Sequence, residues 1–242
     1  MVYYDLYIKW FNDKKQIGQA RQTKVHEILG ESEYECQALN YSMHSLPYPN
    51  TDSIPALKRL TVKVNFSQIL NNTELLSQYD IVAARPSNDQ DFHYCCMEAE
   101  IDIISLKLHD RLGMRIKLNL VQEAIKRGIM FELCYSQALR DINARRVFIS
   151  NATNIIKATK GRNIIFSSSA KDLYDQRSPW DVINLGCVLG LAIDKAQNSI
   201  VKNPEDAISH GQARKVFKSA IQISDKSEFV KQEGWNILPS SL

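Results

Sequence analysis

The chain has few of the residues that most enzyme sites are built from. Five histidines occur in 242 residues, His26, His44, His93, His109 and His210, and no two lie within four positions of each other. That spacing excludes the H-x-H and H-E-x-x-H arrangements by which one strand or helix turn grips a metal. Glycine is also scarce, at nine residues, and no G-x-G-x-x-G or G-x-x-x-x-G-K pattern is present, so no glycine-rich loop can cradle a nucleotide. The five cysteines are an odd number without framework or zinc-finger spacing, which points to a reducing intracellular compartment. No apolar run reaches the length of a membrane span, and the start MVYYDLYIKW has no basic leader or cleavage site, so the expectation is a chain neither secreted nor inserted in a membrane.

Charge is present but unevenly placed. The net charge is only +3, common among proteins of every function. Locally, residues 107–127 carry Lys107, Arg111, Arg115, Lys117, Lys126 and Arg127 against Asp110 and Glu123. Residues 89–102 carry Asp89, Asp91, Glu98, Glu100 and Asp102 with no lysine or arginine. From Arg140 to Arg162, the cations Arg140, Arg145, Arg146, Lys157, Lys160 and Arg162 face the single acid Asp141. A segregated basic surface recruits phosphate backbones because binding releases condensed counterions.

Short β-prone runs alternate with helical segments. Strands are expected near Val2–Ile8, Glu35–Tyr41, Arg59–Val64, Asp80–Ala84, Ile101–Leu106, Ile129–Tyr135 and Asn163–Ser167. Several are almost continuously apolar, which suits parallel strands covered on both faces. Helices are expected over Ile17–Leu29, Phe92–Glu98, Leu118–Arg127 and Gln137–Thr159, then from the Ser178-Pro179 cap to Gly190, over Asp194–Val201, and beyond the cap at Asn203-Pro204. The pattern predicts an α/β fold of the TIM-barrel type, with seven parallel strands and an eighth absent or degenerate. Residues 1–222 are expected to form one domain. Residues 223–242 are expected to be a tail that orders on a partner, with Trp235 and Ile237 as anchors. The proline-containing stretch 44–58 is expected to be a surface loop.

The long helix poses a specific problem. At 100° per residue, Ala138, Ile142, Ile149, Ala152 and Ile156 share one face. Arg145 and Arg146 flank that stripe, so each guanidinium needs a carboxylate or an external anion. Asp141, four residues before Arg145, can supply one ion pair. The turn Ser167-Ser168-Ser169, with Lys171 beside it, follows the seventh strand, where barrels often hold phosphate. Those hydroxyls either clamp a phosphate or cap the next helix. The only ligand-like cluster, His93-Tyr94-Cys95-Cys96, lacks metal-site spacing. The serine run is not a G-x-S-x-G nucleophile elbow. A metal-dependent phosphoesterase barrel remains the rival class.

FELCYSQALRDINARRVFISNATNIIKATKG, followed by NIIFSSSAK and RSPWDVINLGCVLGL, resembles the 30-kDa-type protein subunit of ribonuclease P, shared with RNase MRP. YYDLYI, YDIVAARP at 79–86 and EIDIISLKL at 100–108 match as well, and the likeness covers roughly residues 1–220. The resemblance implies a barrel related in fold to metal-dependent phosphoesterases and used as a noncatalytic RNA-binding scaffold. An RNA subunit, carrying Mg2+, would remove 5′ leaders from precursor tRNA, and the protein itself would bind no cofactor. It implies ribonuclease P RNA and MRP RNA as partners, with a small protein subunit of RNA-recognition-like fold and larger protein subunits. Precursor tRNA would be met indirectly, no membrane would be involved, and location would be the nucleus, including the nucleolus, in a eukaryote. The family's basic positions fall on Arg85, Lys107, Arg140, Arg145 and Arg146; Ser167, Ser168, Ser169 and Lys171 complete the expected RNA-binding set. Where the family usually has a glycine in the turn after strand seven, this chain has Ser169.

Overall fold

The computed structural model describes residues 2–9, 28–42, 56–63 and 73–216. Seven strands, β1 (Tyr4–Lys9), β2 (Cys36–Ser42), β3 (Leu57–Val62), β4 (Ile81–Ala84), β5 (Ile103–Ser105), β6 (Met130–Cys134) and β7 (Ile164–Ser167), form one parallel sheet in sequence order. The last strand returns to the first. A single parallel bridge joins Ile8 to Ala170, and the Lys9 amide donates to the Ala170 carbonyl at 3.0 Å. The barrel thus closes through the turn after β7, in the place of an eighth strand.

Side-chain alternation sorts the strands into two cores. Ile8, Leu39, Leu60, Val82, Ile104, Phe131, Ile164 and Phe166 pack outward with the helices. Leu6, Ala38, Ile81, Ala83, Ile103, Met130 and Ile165 form a second cluster inside the barrel. These near-complete apolar runs are what a sheet buried on both faces demands.

The helices are α1 (Thr73–Ser77), α2 (Asp89–Met97), α3 (Leu118–Lys126), α4 (Ser136–Arg140), α5 (Ile142–Thr159), α6 (Pro179–Val188), α7 (Ile193–Asn198) and α8 (Lys202–Val216). As the Ser178-Pro179 signal implied, Ser178 caps α6 by accepting from the Asp181 amide. The final helix, α8, seals the amino-terminal end of the barrel. Ala207 joins the interior cluster, Asn203 donates to the Ile164 carbonyl at 2.7 Å, and Lys215 reaches Asp80 at 2.7 Å. His210 and Arg214 both contact the fully buried Asp102. Close approach requires a glycine here, because a Cβ on Gly211 would collide with the Asp80 carbonyl.

The expected helix Gln137–Thr159 is in fact two. Asp141 is extended (φ −130°, ψ 132°), and its carboxylate accepts from the Asn143 and Ala144 amides as the N-cap of α5. The break rephases the helix. Ile142 and Ile149 are exposed, and the buried face is Phe148, Ala152, Ile155, Ile156 and Thr159. Strand boundaries shift by a few residues; β3 takes Leu57 and Lys58 out of the expected 44–58 loop. Most of the helix expected over Ile17–Leu29, and the tail with Trp235 and Ile237, lie outside the described residues.

Candidate nucleic-acid interface

The barrel interior is layered. Above the apolar cluster lies a fully buried ion pair: Arg59 Nη2 meets Glu132 Oε2 at 2.7 Å, while Nη1 also donates to the Leu6 carbonyl at 2.8 Å. The guanidinium lies 4.4 Å from the centroid of the Tyr7 ring. Burial by itself would raise the Glu132 pKa, but the Arg59 charge and hydrogen bonds outweigh it and hold the carboxyl at about 2. This pair is internally neutral and forms a floor.

Above that floor the lining turns cationic. Ile8, Val62, Ala84, Leu106, Leu108 and Ala170 belong to the helix-side core. Lys9, Lys63, Arg85, Lys107, His109 and Lys171 lie at or just beyond the carboxyl ends of these strands, and Lys9 is close enough to Lys171 and Arg85, and Lys63 to Arg85 and Lys107, for their charges to act on one another. They follow five of the seven strands and converge at the carboxyl-terminal mouth. Arg85 is fixed there by donating to Ser105 Oγ at 2.9 Å, the Ser105 carbonyl at 3.2 Å and the Tyr7 hydroxyl at 3.3 Å. The half-buried Lys9 is pushed down to about 8, by burial first and then by Lys171 and Arg85. Burial, Arg85 and Lys107 lower Lys63; burial together with Lys107, Arg85 and Lys9 lowers His109 despite Asp110. Lys107 pairs with Asp110 in the exposed rim.

A second basic surface runs beside the mouth. A groove of about 1020 Å3 between α5 and the segment after β5 is lined by Arg111, Arg115, Arg146 and Lys157, with Asn151 and Asn154, and no carboxylate lines it. Asn151 donates to the Leu108 and Asp110 carbonyls at 2.9 and 3.0 Å, tying that segment to α5. Lys107 and His109 at the mouth are thus only a few residues from Arg111 in the groove.

The expected site residues divide between these surfaces and the scaffold. Arg85, Lys107 and Lys171 stand at the mouth, and Arg146 lines the groove. Arg140 is held by Asp175 (2.6 Å) and Asp172 (3.1 Å). Arg145 donates to the Ala138 and Leu139 carbonyls at 2.8 and 3.1 Å, closing the carboxyl end of α4. Its expected side-chain pairing with Asp141 is replaced by that carboxylate's capping role. Ser167, Ser168 and Ser169 are buried. The Ser168 amide donates to the Asp5 carboxylate at 3.1 Å, and the Ser169 carbonyl accepts from the Ser136 hydroxyl. Ser169 has φ +55°, the left-handed conformation that accounts for the family's glycine. The serine turn closes the barrel: the Ser168 hydroxyl accepts from the Ala170 amide at 3.0 Å, and the buried Ser167 hydroxyl lies beside Glu132.

Lys9, Lys63, His109, Arg111, Arg115 and Lys157 were missing from the expected set. The signal for the first three was positional: Lys9 ends β1, Lys63 comes one residue after β3 and His109 four after β5. Arg127 donates to the Cys96 carbonyl at 2.9 Å and to Ala99, so it holds α2. In the His93-Cys96 cluster, Cys95 and Cys96 are buried and burial pushes the Cys96 thiol up to about 12. Among the described residues, no three His, Cys, Asp or Glu side chains come together as a metal-ligand set.

Fold and charge together define an α/β barrel closed without an eighth strand, with its cations gathered at the carboxyl-terminal mouth and along one flank. Residues 2–216 match the family model for RNase P subunit p30, and the chain belongs to that family. It is 36% identical over 166 residues to the Mus musculus ribonuclease P protein subunit p30, covering 67% of this chain and 62% of the relative, so it spans less than two thirds of that protein. It is 31% identical over 229 residues to the probable ribonuclease P protein subunit 3 of Schizosaccharomyces pombe, covering 88% of this chain and 95% of the relative. The fold is shared with a chain of archaeal ribonuclease P bound to mature tRNA (TM-score 0.63, 13% identity, 92% and 99% of the two chains).

Proposed function

We propose that this chain is a noncatalytic RNA-binding subunit of the ribonuclease P ribonucleoprotein, and of RNase MRP, supporting RNA-catalysed maturation of precursor tRNA and ribosomal RNA in the nucleus. The groove lined by Arg111, Arg115, Arg146 and Lys157 carries this reading, because four exposed cations without a lining carboxylate suit a phosphate backbone. The catalytic Mg2+ belongs to the RNA on this reading. A small protein subunit of RNA-recognition-like fold and larger subunits complete the particle. A phosphoesterase would need converging metal ligands, which the described residues do not assemble.

The test is RNA affinity against salt for the wild type and for Arg111→Gln, Arg115→Gln, Arg146→Gln and Lys157→Gln combined. Losing four phosphate contacts should flatten the slope of log K against log salt by about 3. An unchanged slope and affinity would remove the groove from the interface.

A further inference from the structure

The barrel mouth differs from the groove in shape, and the difference specifies a ligand. Groove cations lie along an open surface. Those at the mouth point inward from separate strand ends toward one place, above a floor made by Tyr7 and the neutral Arg59–Glu132 pair. A barrel of this strand number is just wide enough for packed side chains or one small ligand. A continuing backbone diester, with a sugar on either side, needs an open track; a terminal phosphate needs only to enter end-on.

The local charge is in excess. Glu132 pairs with Arg59 and Asp110 with Lys107, Arg140 is shared by Asp172 and Asp175, and the buried Asp5 accepts from the Ser168 amide and Gln176, so these acids offset at most part of the charge at the mouth. Among the described residues Lys9, Lys63, Arg85 and Lys171 make no ion pair with a carboxylate, although Asp175 acts on Lys9 from nearby. Bringing four such cations together is costly without an anion. Arg85 is oriented by Ser105 and Tyr7 through Nε and Nη2, which leaves Nη1 to donate to a ligand, and Lys9 and Lys171 are brought side by side by the Ile8–Ala170 bridge that closes the barrel. Loops after the last strands of such barrels are frequent phosphate sites.

We infer that the carboxyl-terminal mouth, through Lys9, Lys63, Arg85 and Lys171, is a binding site for a phosphate monoester, the dianionic terminal phosphate of an oligonucleotide. This inference deepens the RNA-binding reading but uses residues separate from the groove. The site binds and makes or breaks no bond.

Full-length protein is titrated with a fluorescent trinucleotide bearing either a 5′-phosphate or a 5′-hydroxyl, and with inorganic phosphate as competitor. The phosphorylated form should bind at least tenfold more tightly, and inorganic phosphate should displace it. Lys9→Gln with Lys171→Gln should abolish that preference, whereas the fourfold groove variant should retain it while losing salt-dependent binding of long RNA. Arg85→Lys is a second probe, keeping charge but losing the guanidinium that Ser105 and Tyr7 orient, and circular dichroism checks the fold of every variant. Binding of inorganic phosphate without discrimination between the trinucleotides would overturn a terminal-phosphate site and assign the mouth to free phosphate. Equal binding of both trinucleotides without phosphate competition would overturn it altogether. Failure of the groove variant to change long-RNA binding would count against the proposed function and leave the mouth unaffected.

Discussion

Replacing Glu132 with glutamine should destabilise the protein severely, although the shape hardly changes. Both members of the Arg59–Glu132 pair are completely buried. Glutamine keeps one acceptor oxygen for Arg59 but sets its NH2 against the second guanidinium donor and supplies no charge, leaving the Leu6 carbonyl and the Tyr7 ring as the other partners for a cation in the barrel interior. Breaking such a pair costs about 3–5 kcal/mol. Linkage gives a similar magnitude: a carboxyl held at about 2 instead of 4.5 corresponds to roughly 3 kcal/mol favouring the fold. Since the folded value is depressed, that contribution is present above 4.5 and lost as pH falls toward 2. Urea unfolding followed by circular dichroism measures the loss, with a melting temperature lower by about 6–20 °C for a chain of this size. The double variant Arg59→Met, Glu132→Leu should be more stable than Glu132→Gln, because no unpaired charge remains. A single variant within about 1 kcal/mol of wild type, or two strictly additive losses, would refute the reasoning.

His210 presents both ring nitrogens to acceptors, Asp102 Oδ1 at 2.7 Å and the Arg127 carbonyl at 3.1 Å, so the imidazolium satisfies the site and Asp102 raises its pKa. Its contribution is therefore full below pH 6.5 and lost as pH rises through the raised folded value; urea midpoints should fall over that range in wild type and stay flatter in His210→Gln. Gly211→Ala should cost about 1–3 kcal/mol by pushing α8 off the Asp80 carbonyl, visible as faster hydrogen exchange in α8. Arg145→Ala should lower stability by about 1 kcal/mol through the lost α4 carbonyl contacts. Arg146→Ala should leave stability unchanged while reducing the salt slope of RNA binding by about 1.

The strands were legible in the sequence because a parallel sheet buried on both faces needs continuous apolar runs, as in β4 and β6. The α4–α5 break was missed because Asp141 fits an exposed helix position as readily as an N-cap, and only the backbone decides between them. The same ambiguity assigned Arg145 to a ligand or an ion pair, whereas it closes α4. Arg140 illustrates a second limit: its partners lie 32 and 35 residues away, beyond any local pattern. The serine turn was correctly placed after β7, but its role in closing the barrel depends on Asp5, more than 160 residues distant. Lys9 and Lys63 escaped because single lysines at strand ends look ordinary until the barrel brings them together.

Affinity purification of the tagged chain from its own cells, followed by sequencing of the bound RNA, tests the central claim most directly. The expected result is enrichment of discrete structured RNAs, the ribonuclease P RNA and the MRP RNA, that are lost in the fourfold groove variant. Recovery of protein partners with no discrete RNA, or of the same RNA undiminished by the variant, would contradict it.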